Sequence, residues 1–482
     1  MVFSSITFLF YFLPVVIGTY YLAAGCGMKN IILLTASLFF YAWGEPVYIA
    51  LMLFSIFFNY GAGRVLDARK NQRKRRIIFG TALAVNLLLL AFFKYADFLI
   101  LTVNHIFGTA APQLHLPLPV GISFYTFQAL SYLADLYNGR VRVQKNGLDF
   151  AVYIAMFPQL IAGPIVRLQS VEHDLHERQH SAALFASGVR RFTVGLGKKV
   201  LLANQAGLLW DAAAGQTAEI SAVSAWIGIL GFTFQIYFDF SGYSDMAIGL
   251  GKMFGFVFPE NFKYPYLSGS ITEFWRRWHI SLGSWFREYV YIPLGGNRCG
   301  LFRQILHIAI VWFLTGLWHG AGLNFICWGL YFAVILTAEK LFLLRILEGC
   351  PIVIRRVYTM FLVILSWVIF SKDSAAEAFS YLGAMFGGNG IWLDEQALYL
   401  ISGNALLLLV LAVGSTDLPA KGWLLLRENW NESGDENKTR NRNKKVVCLG
   451  QMAENLLLLL LLYVSSAYIT ASTYNPFLYF RF

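Results

Sequence analysis

The sequence predicts an all-α polytopic membrane protein with about 11 transmembrane helices, a count set by the length of chain a bilayer requires. Three observations carry that prediction. Hydrophobic residues make up 57% of the 482-residue chain, charged residues only 13%, and mean hydropathy is +0.56. Soluble domains hold nearer ~25% charged residues, and a soluble fold could not hide this much apolar surface and still cover itself with polar groups. Apolar runs approaching the roughly 20 residues needed per span recur along the chain. The alternating pattern of a membrane barrel is absent, and lipid forces backbone hydrogen bonds to close within each segment, so the spans should be helices.

In order, the runs are Ile6–Ala24, Val47–Gly63, Ile77–Phe93, Ser224–Phe238, Phe325–Leu344, Val357–Phe370 and Leu456–Ile469, with shorter ones between. The first follows five residues without a basic group and contains Pro14, so it reads as a permanent span rather than a cleaved signal. A basic loop follows the second run: Arg64, Arg69, Lys70, Arg73, Lys74, Arg75 and Arg76. Further basic clusters lie at 140–145, 190–199 and 438–445. The positive-inside rule places these loops in the cytoplasm, which puts Lys29 inside and Met1 and Glu45 outside. Topology thereby accounts for the net charge of +11 and removes any need for a nucleic-acid partner. Residues 427–445 are the most hydrophilic stretch and read as a cytoplasmic loop, after which a last span leaves Tyr474–Phe482 outside. The whole chain, 1–482, reads as one membrane domain. Its cysteines (Cys26, Cys299, Cys327, Cys350, Cys448) show no paired spacing, so neither a disulfide framework nor a zinc site is expected.

Residues 257–304 break the membrane pattern. Arg276, Arg277, Arg287 and Arg298 alternate there with Trp275, Trp278, Trp285, Phe286 and Tyr289. Amphipathic aromatics favour the membrane–water boundary, so the segment is expected to form interfacial or re-entrant helices lining a cavity. A surface helix that only anchors the fold is the alternative.

Eight histidines are present. His173, His176 and His180 lie in VEHDLHERQH and read as a solvated cytoplasmic stretch, not a metal site. His105, His115 and His307 sit in connecting or interfacial positions. His319 differs: it stands alone in IVWFLTGLWHGAGLNFICWGLYF, flanked by Gly316, Gly320 and Gly322. A polar group in hydrocarbon is costly unless it is satisfied or lines a cavity. Small neighbours permit close approach of backbone or substrate. Burial also keeps an imidazole neutral, the form that accepts a proton from an alcohol. His279, on the aromatic segment, is the second candidate, expected to orient or stabilise beside a base at His319.

The motif FWRRWHISLGSWFREYVYIPLGGNR at 274–298, followed by LTGLWHGAGLNFICWG at 314–329, resembles the membrane-bound O-acyltransferases and, within them, the bacterial alginate O-acetylation branch. The segments 1–14, 30–46, 119–137, 157–167 and 475–482 extend the resemblance over nearly the whole chain. The resemblance implies that His319 is the catalytic histidine and His279 the second catalytic position. It implies a ring of helices around a central tunnel joining both faces of a bacterial cytoplasmic membrane. In that tunnel a cytoplasmic thioester, acetyl-CoA in this branch, meets an acceptor hydroxyl. It also implies an extracytoplasmic SGNH-type acetyltransferase partner that completes transfer to a polysaccharide such as alginate.

The chemistry agrees with this. A hydroxyl is a poor nucleophile until a base removes its proton during attack. The tetrahedral oxyanion needs a donor, for which His279 or a cavity amide is available. No bound cofactor is expected, only the thioester co-substrate. Coenzyme A phosphates would need cations at the cytoplasmic mouth. Arg276, Arg277 and Lys263 are the candidates, with Trp278 and Asn324 completing the expected substrate-binding set. Alternatives are D-alanyl transfer from a carrier protein to teichoic acid, and, outside enzymes, a transporter using Asp239 and Asp245 or a secretion scaffold.

Overall fold

A computed structural model describes residues 1–161, 163–214, 220–432, 440–471 and 477–478, without the side chains of 427–448. The described chain is helical throughout, without strands. The helices used below are α1 (Gly25–Gly44), α2 (Ile49–Asp67), α3 (Gln72–Phe107), α4 (Ala182–Gly197), α5 (Ala222–Met253), α6 (Ile271–Arg277), α7 (Ile280–Phe286), α8 (Leu301–His319), α9 (Leu323–Ala338), α10 (Ile352–Ser371), α11 (Glu395–Gly414) and α12 (Arg440–Ala471).

Among the described residues eight helices are long and apolar enough to cross a bilayer: α1, α2, α3, α5, α8, α10, α11 and the Leu449–Ala471 part of α12. The protein is thus a multi-pass membrane protein. Where the expected count of about 11 exceeds these eight, the apolar helices are short or interrupted. Thr7–Leu22 is apolar but below spanning length. Helix α9 passes through a π turn at Glu339–Leu343 before continuing as Leu344–Glu348, and α4 passes through another at Lys198–Ala203. Widened turns of this kind concentrate at functional sites. Residues 427–432 end the helix Leu418–Glu432 and 440–445 begin α12, while 433–439 lie outside the described residues.

Local sequence explains the helix ends. Asn71 accepts from the backbone N–H groups of Arg73 and Lys74 and starts α3, and Gly108, in the left-handed region, ends it. Ser221 and Ser181 cap α5 and α4 in the same way, each satisfying an otherwise orphaned donor.

Helix α5 is the centre of the bundle. Of its most apolar 18 residues 72% are buried, against 17% for the lipid-facing α11. It packs on α4 through glycines a heptad apart on both helices. A methyl at Gly188 would lie 2.6 Å from the carbonyl oxygen of Gly249, and one at Gly195 would lie 2.6 Å from that of Gly242. Backbone therefore meets backbone, the close packing that replaces a hydrophobic drive inside lipid. Polar pairs fasten other helices. Asn59 of α2 and Asn86 of α3 exchange amide hydrogen bonds of 3.1 and 2.8 Å.

The two carboxylates considered for an ion path are both ion-paired at the α4–α5 seam. Asp245 accepts from Arg191 at 2.6 Å and Lys198 at 2.7 Å, and Asp239 pairs with Lys199 at 2.5 Å. The other oxygen of Asp239 accepts the backbone N–H of Leu478 at 2.7 Å. Phe477 and Leu478 are consequently buried inside the bundle rather than left at its surface. The rest of the expected outer tail, 474–476 and 479–482, lies outside the described residues.

Candidate active site

His319 is the last residue of α8, at the tip of a tight hairpin with α9. The hairpin closes because glycine occupies each crossing point. A methyl at Gly316 would stand 2.4 Å from the Phe325 carbonyl oxygen, and one at Gly329 would stand 2.3 Å from that of Trp312. The buried imidazole is boxed edge-on by Trp318, Trp328 and Phe370, with ring centroids 4.8, 4.9 and 5.2 Å away. It lines a narrow cavity of about 20 Å³, room for about one water, whose wall also holds Asp239, Phe240, Trp278 and Phe477.

The end of α8 is held from the side by α3. Lys94 Nζ donates to the Trp318 carbonyl and the Tyr95 hydroxyl to the Leu317 carbonyl. Carbonyls at a helix C-terminus have no partner within the helix, and these two find theirs in a neighbouring span. Sequence reasoning passed over Lys94. Its signal was a lone lysine directly after the apolar run Ile77–Phe93.

His279 lies between the short helices α6 and α7, in the left-handed region at φ 44° and ψ 55°. For a residue with a Cβ this costs about 1–3 kcal/mol and persists only where the surroundings enforce it. The surroundings here are Asn261, Ser281 and Ser244. The His279 Nδ1 is 3.1 Å from Asn261 Oδ1, and the N–H of Ile280 donates to the Asn261 carbonyl at 3.0 Å. Helix α7 is anchored by Trp285, which stacks on Phe127 at 3.9 Å and donates Nε1–H to its carbonyl at 3.1 Å. At the start of α6, Ser270 caps the helix while Glu273 accepts the N–H of Gly269 at 2.8 Å.

His279 opens onto a second cavity of about 600 Å³, with Trp275, Arg276, Arg287, Tyr291 and Thr315 in its wall. Consecutive residues line the two cavities, Trp278 the first and His279 the second. The Trp318 ring lies 6.0 Å from His279 and 4.8 Å from His319. The structure thus brings His319 and His279 to the same Trp318 ring, with Trp278 on the small cavity and Arg276 on the large one.

The remaining predicted binding residues stand apart from it. Arg277 is ion-paired with Glu273 at 2.6 Å, and the exposed Lys263 meets the segment through its backbone N–H, 2.9 Å from the Arg277 carbonyl. Neither lines either cavity. Asn324 lies behind the hairpin and donates to the Lys372 carbonyl at 2.8 Å, a structural tie between α9 and the end of α10. Arg287, absent from the predicted set, supplies a cation to the larger cavity.

One carboxylate joins the two halves. Glu339, just beyond α9, accepts the N–H groups of Ile271 and Thr272 at 2.7 and 2.8 Å, the Thr272 hydroxyl at 2.6 Å and the Tyr358 hydroxyl at 3.1 Å. It sits at the N-terminus of α6, where the helix dipole favours negative charge. This registers the His279 segment against the hairpin that carries His319. Glu339→Ala is expected to lower stability by about 3 kcal/mol, since hydrogen bonds to a charged group contribute ~1.5–3 kcal/mol and buried donors are left orphaned. Thermal unfolding in detergent measures it, and Glu339→Gln, which keeps one acceptor, should recover part of the loss.

The sequence profile of the membrane-bound O-acyltransferase family matches residues 140–377. The chain is 39% identical over 494 aligned positions to the probable alginate O-acetylase of Pseudomonas putida, covering all of both proteins. It is 43% identical to the corresponding protein of Pseudomonas aeruginosa, over 81% of this chain and 76% of that one. To the peptidoglycan O-acetyltransferase of Helicobacter pylori it is 34% identical, over 82% of this chain and 81% of that one. Eight apolar helices, the family profile and full-length similarity to an O-acetylase lead to one assignment: the chain belongs to the membrane-bound O-acyltransferase family and is a multi-pass membrane acyltransferase.

Proposed function

We propose that the protein moves an acetyl group from acetyl-CoA on the cytoplasmic side toward hydroxyls of an extracytoplasmic polysaccharide, alginate or a similar polymer, in a bacterial cytoplasmic membrane. The observation that supports this reading is that His319 lines a small aromatic cavity and His279 a large cation-bearing one, with the Trp318 ring 4.8 and 6.0 Å from them. The larger cavity suits the thioester donor. Its wall carries the exposed Arg276 and Arg287, cations of the kind that bind phosphate by paired hydrogen bonds, and Trp275, Phe286 and Trp312 in the same wall suit an uncharged pantetheine arm. Arg277 and Lys263 lie close by on the backbone of the same segment and would add to the positive field. The segment 257–304 acts in this reading as a re-entrant floor between donor and acceptor sides.

His319 is the base. As the acceptor oxygen attacks the thioester carbonyl, its proton passes to the imidazole and a C–O bond forms. When the tetrahedral intermediate collapses, the C–S bond breaks and the thiolate takes that proton, leaving the histidine neutral and the thiol released. His279 holds the substrate beside it. Trp278 walls the small cavity, and Asn324 keeps the hairpin in place. An SGNH-type acetyltransferase outside the membrane completes delivery to the polymer.

Thiol release from acetyl-CoA by the purified protein in lipid nanodiscs, with an oligosaccharide acceptor, tests the reading. Release dependent on acceptor is expected. Release only from a carrier-protein thioester would overturn the donor assignment in favour of D-alanyl-type chemistry, and solute uptake into vesicles without thiol release would replace transfer by transport.

A further inference from the structure

We propose that Asn261 is a positioning residue that locks His279 in the tautomer bearing its proton on Nδ1, so that Nε2 meets a ligand as a hydrogen-bond acceptor. The proposal concerns how the second histidine of the site is set. It rests on the acyl-transfer reading only for what His279 touches.

The argument begins with a backbone donor. The N–H of Ser281 lies 3.2 Å from Asn261 Oδ1, and an N–H can only donate. That atom of the amide is therefore the oxygen, an assignment made by the hydrogen-bond network. The other end of the amide agrees, with Nδ2 donating to Ser244 Oγ at 3.0 Å. Turning the amide over would set its NH₂ group against the Ser281 N–H and strand both donors. The Ser281 hydroxyl, 2.9 Å away, donates to the same oxygen.

His279 Nδ1 lies 3.1 Å from this acceptor. Two acceptors cannot bond to each other, so Nδ1 carries the hydrogen. In a neutral imidazole the second nitrogen then carries the lone pair. Asn261 grips the main chain as well, since its carbonyl takes the N–H of Ile280 at 3.0 Å. One buried residue thus fixes both the left-handed turn at His279 and the orientation of its ring. Asparagine supplies the acceptor without placing a negative charge beside the ring, as aspartate would.

The consequence alters the expected role of His279. A ring presenting a lone pair cannot give an N–H to the developing oxyanion. It takes the proton-bearing side of a substrate, such as a hydroxyl of the acceptor, and the oxyanion donor lies elsewhere. Partners that hold the tautomer of a working histidine are known to shape its chemistry.

The test uses full-length protein labelled with ¹⁵N-histidine in lipid nanodiscs, with the His279 signals assigned by their loss in His279→Gln. Wild type should show Nδ1 protonated and Nε2 bare. Asn261→Leu should lose that tautomer preference and lower kcat for thiol release about 100-fold, with KM for the thioester changed by no more than about threefold. Asn261→Asp keeps the acceptor and should restore both tautomer and most of kcat. A wild-type ring protonated on Nε2, or an Asn261→Leu protein with wild-type kcat, overturns the proposal. The wild-type spectrum decides the tautomer even if Asn261→Leu fails to fold. It also separates the two readings: a protein that releases no thiol from any donor sinks the acyl-transfer reading, while the spectrum still judges Asn261.

Discussion

His319→Gln is expected to reduce kcat for acyl transfer by about 10³-fold or more, the upper part of the range for losing a general base. Glutamine approximates the volume of the ring and can hydrogen-bond, but it cannot take a proton from a hydroxyl near neutral pH. The aromatic box of Trp318, Trp328 and Phe370 should close around it with little change, so the melting temperature should stay near wild type. Thiol release and thermal unfolding measured on the same preparation separate chemistry from folding. Loss of both together would make His319 a structural histidine, and retention of activity would move the base elsewhere.

The second large effect comes from a position that touches no substrate. Gly329→Val would place a branched side chain where even a methyl lies 2.3 Å from the Trp312 carbonyl oxygen. Backbone cannot rotate away as a side chain can, so α8 and α9 must separate. Overpacking typically costs ~1–3 kcal/mol, and a rigid neighbour puts this case at the upper end. The activity loss should exceed the stability loss, because His319 sits at the tip of the displaced hairpin. A shift of about 1 Å in a reacting group can cost ~10²-fold in rate. Gly27→Ala is the control, since nothing lies within 4 Å of a methyl there. Equal effects at the two positions would remove the packing argument.

The sequence carried the site's chemistry more fully than its supports. His319 was legible because it is the one imidazole in a long apolar run, and His279 because cations and tryptophans crowd a segment that should be either apolar or polar. Trp278 and Arg276 fell within the same motif and reach the cavities. The residues that hold the histidines gave no such signal. Asn261 is 18 residues from His279, Glu339 is 68 from Ile271 and Lys94 is 224 from Trp318, separations that neither periodicity nor spacing can bridge. Lys94 could have been flagged as a cation in hydrocarbon, though not matched to the end of α8. Asn324 is close to His319 in sequence, and the hairpin turns its amide toward the Lys372 carbonyl. Apolar composition shows that a segment can enter lipid, but not where a π turn such as Lys198–Ala203 or Glu339–Leu343 interrupts its helix.

The glycine seam between α4 and α5 also decides which parts of the molecule can move. Sliding one helix along the other would lift Gly188 and Gly195 out of register with Gly249 and Gly242, and would break the ion pairs of Asp239 and Asp245 in the same stroke. All of these contacts oppose the same displacement, so the seam behaves as a keyed joint with one seating. The wall of the small cavity contributed by α5 is therefore its stator. Any widening of that cavity must come from its other lining residues, among them Phe370 and Trp328, whose ring edges meet His319.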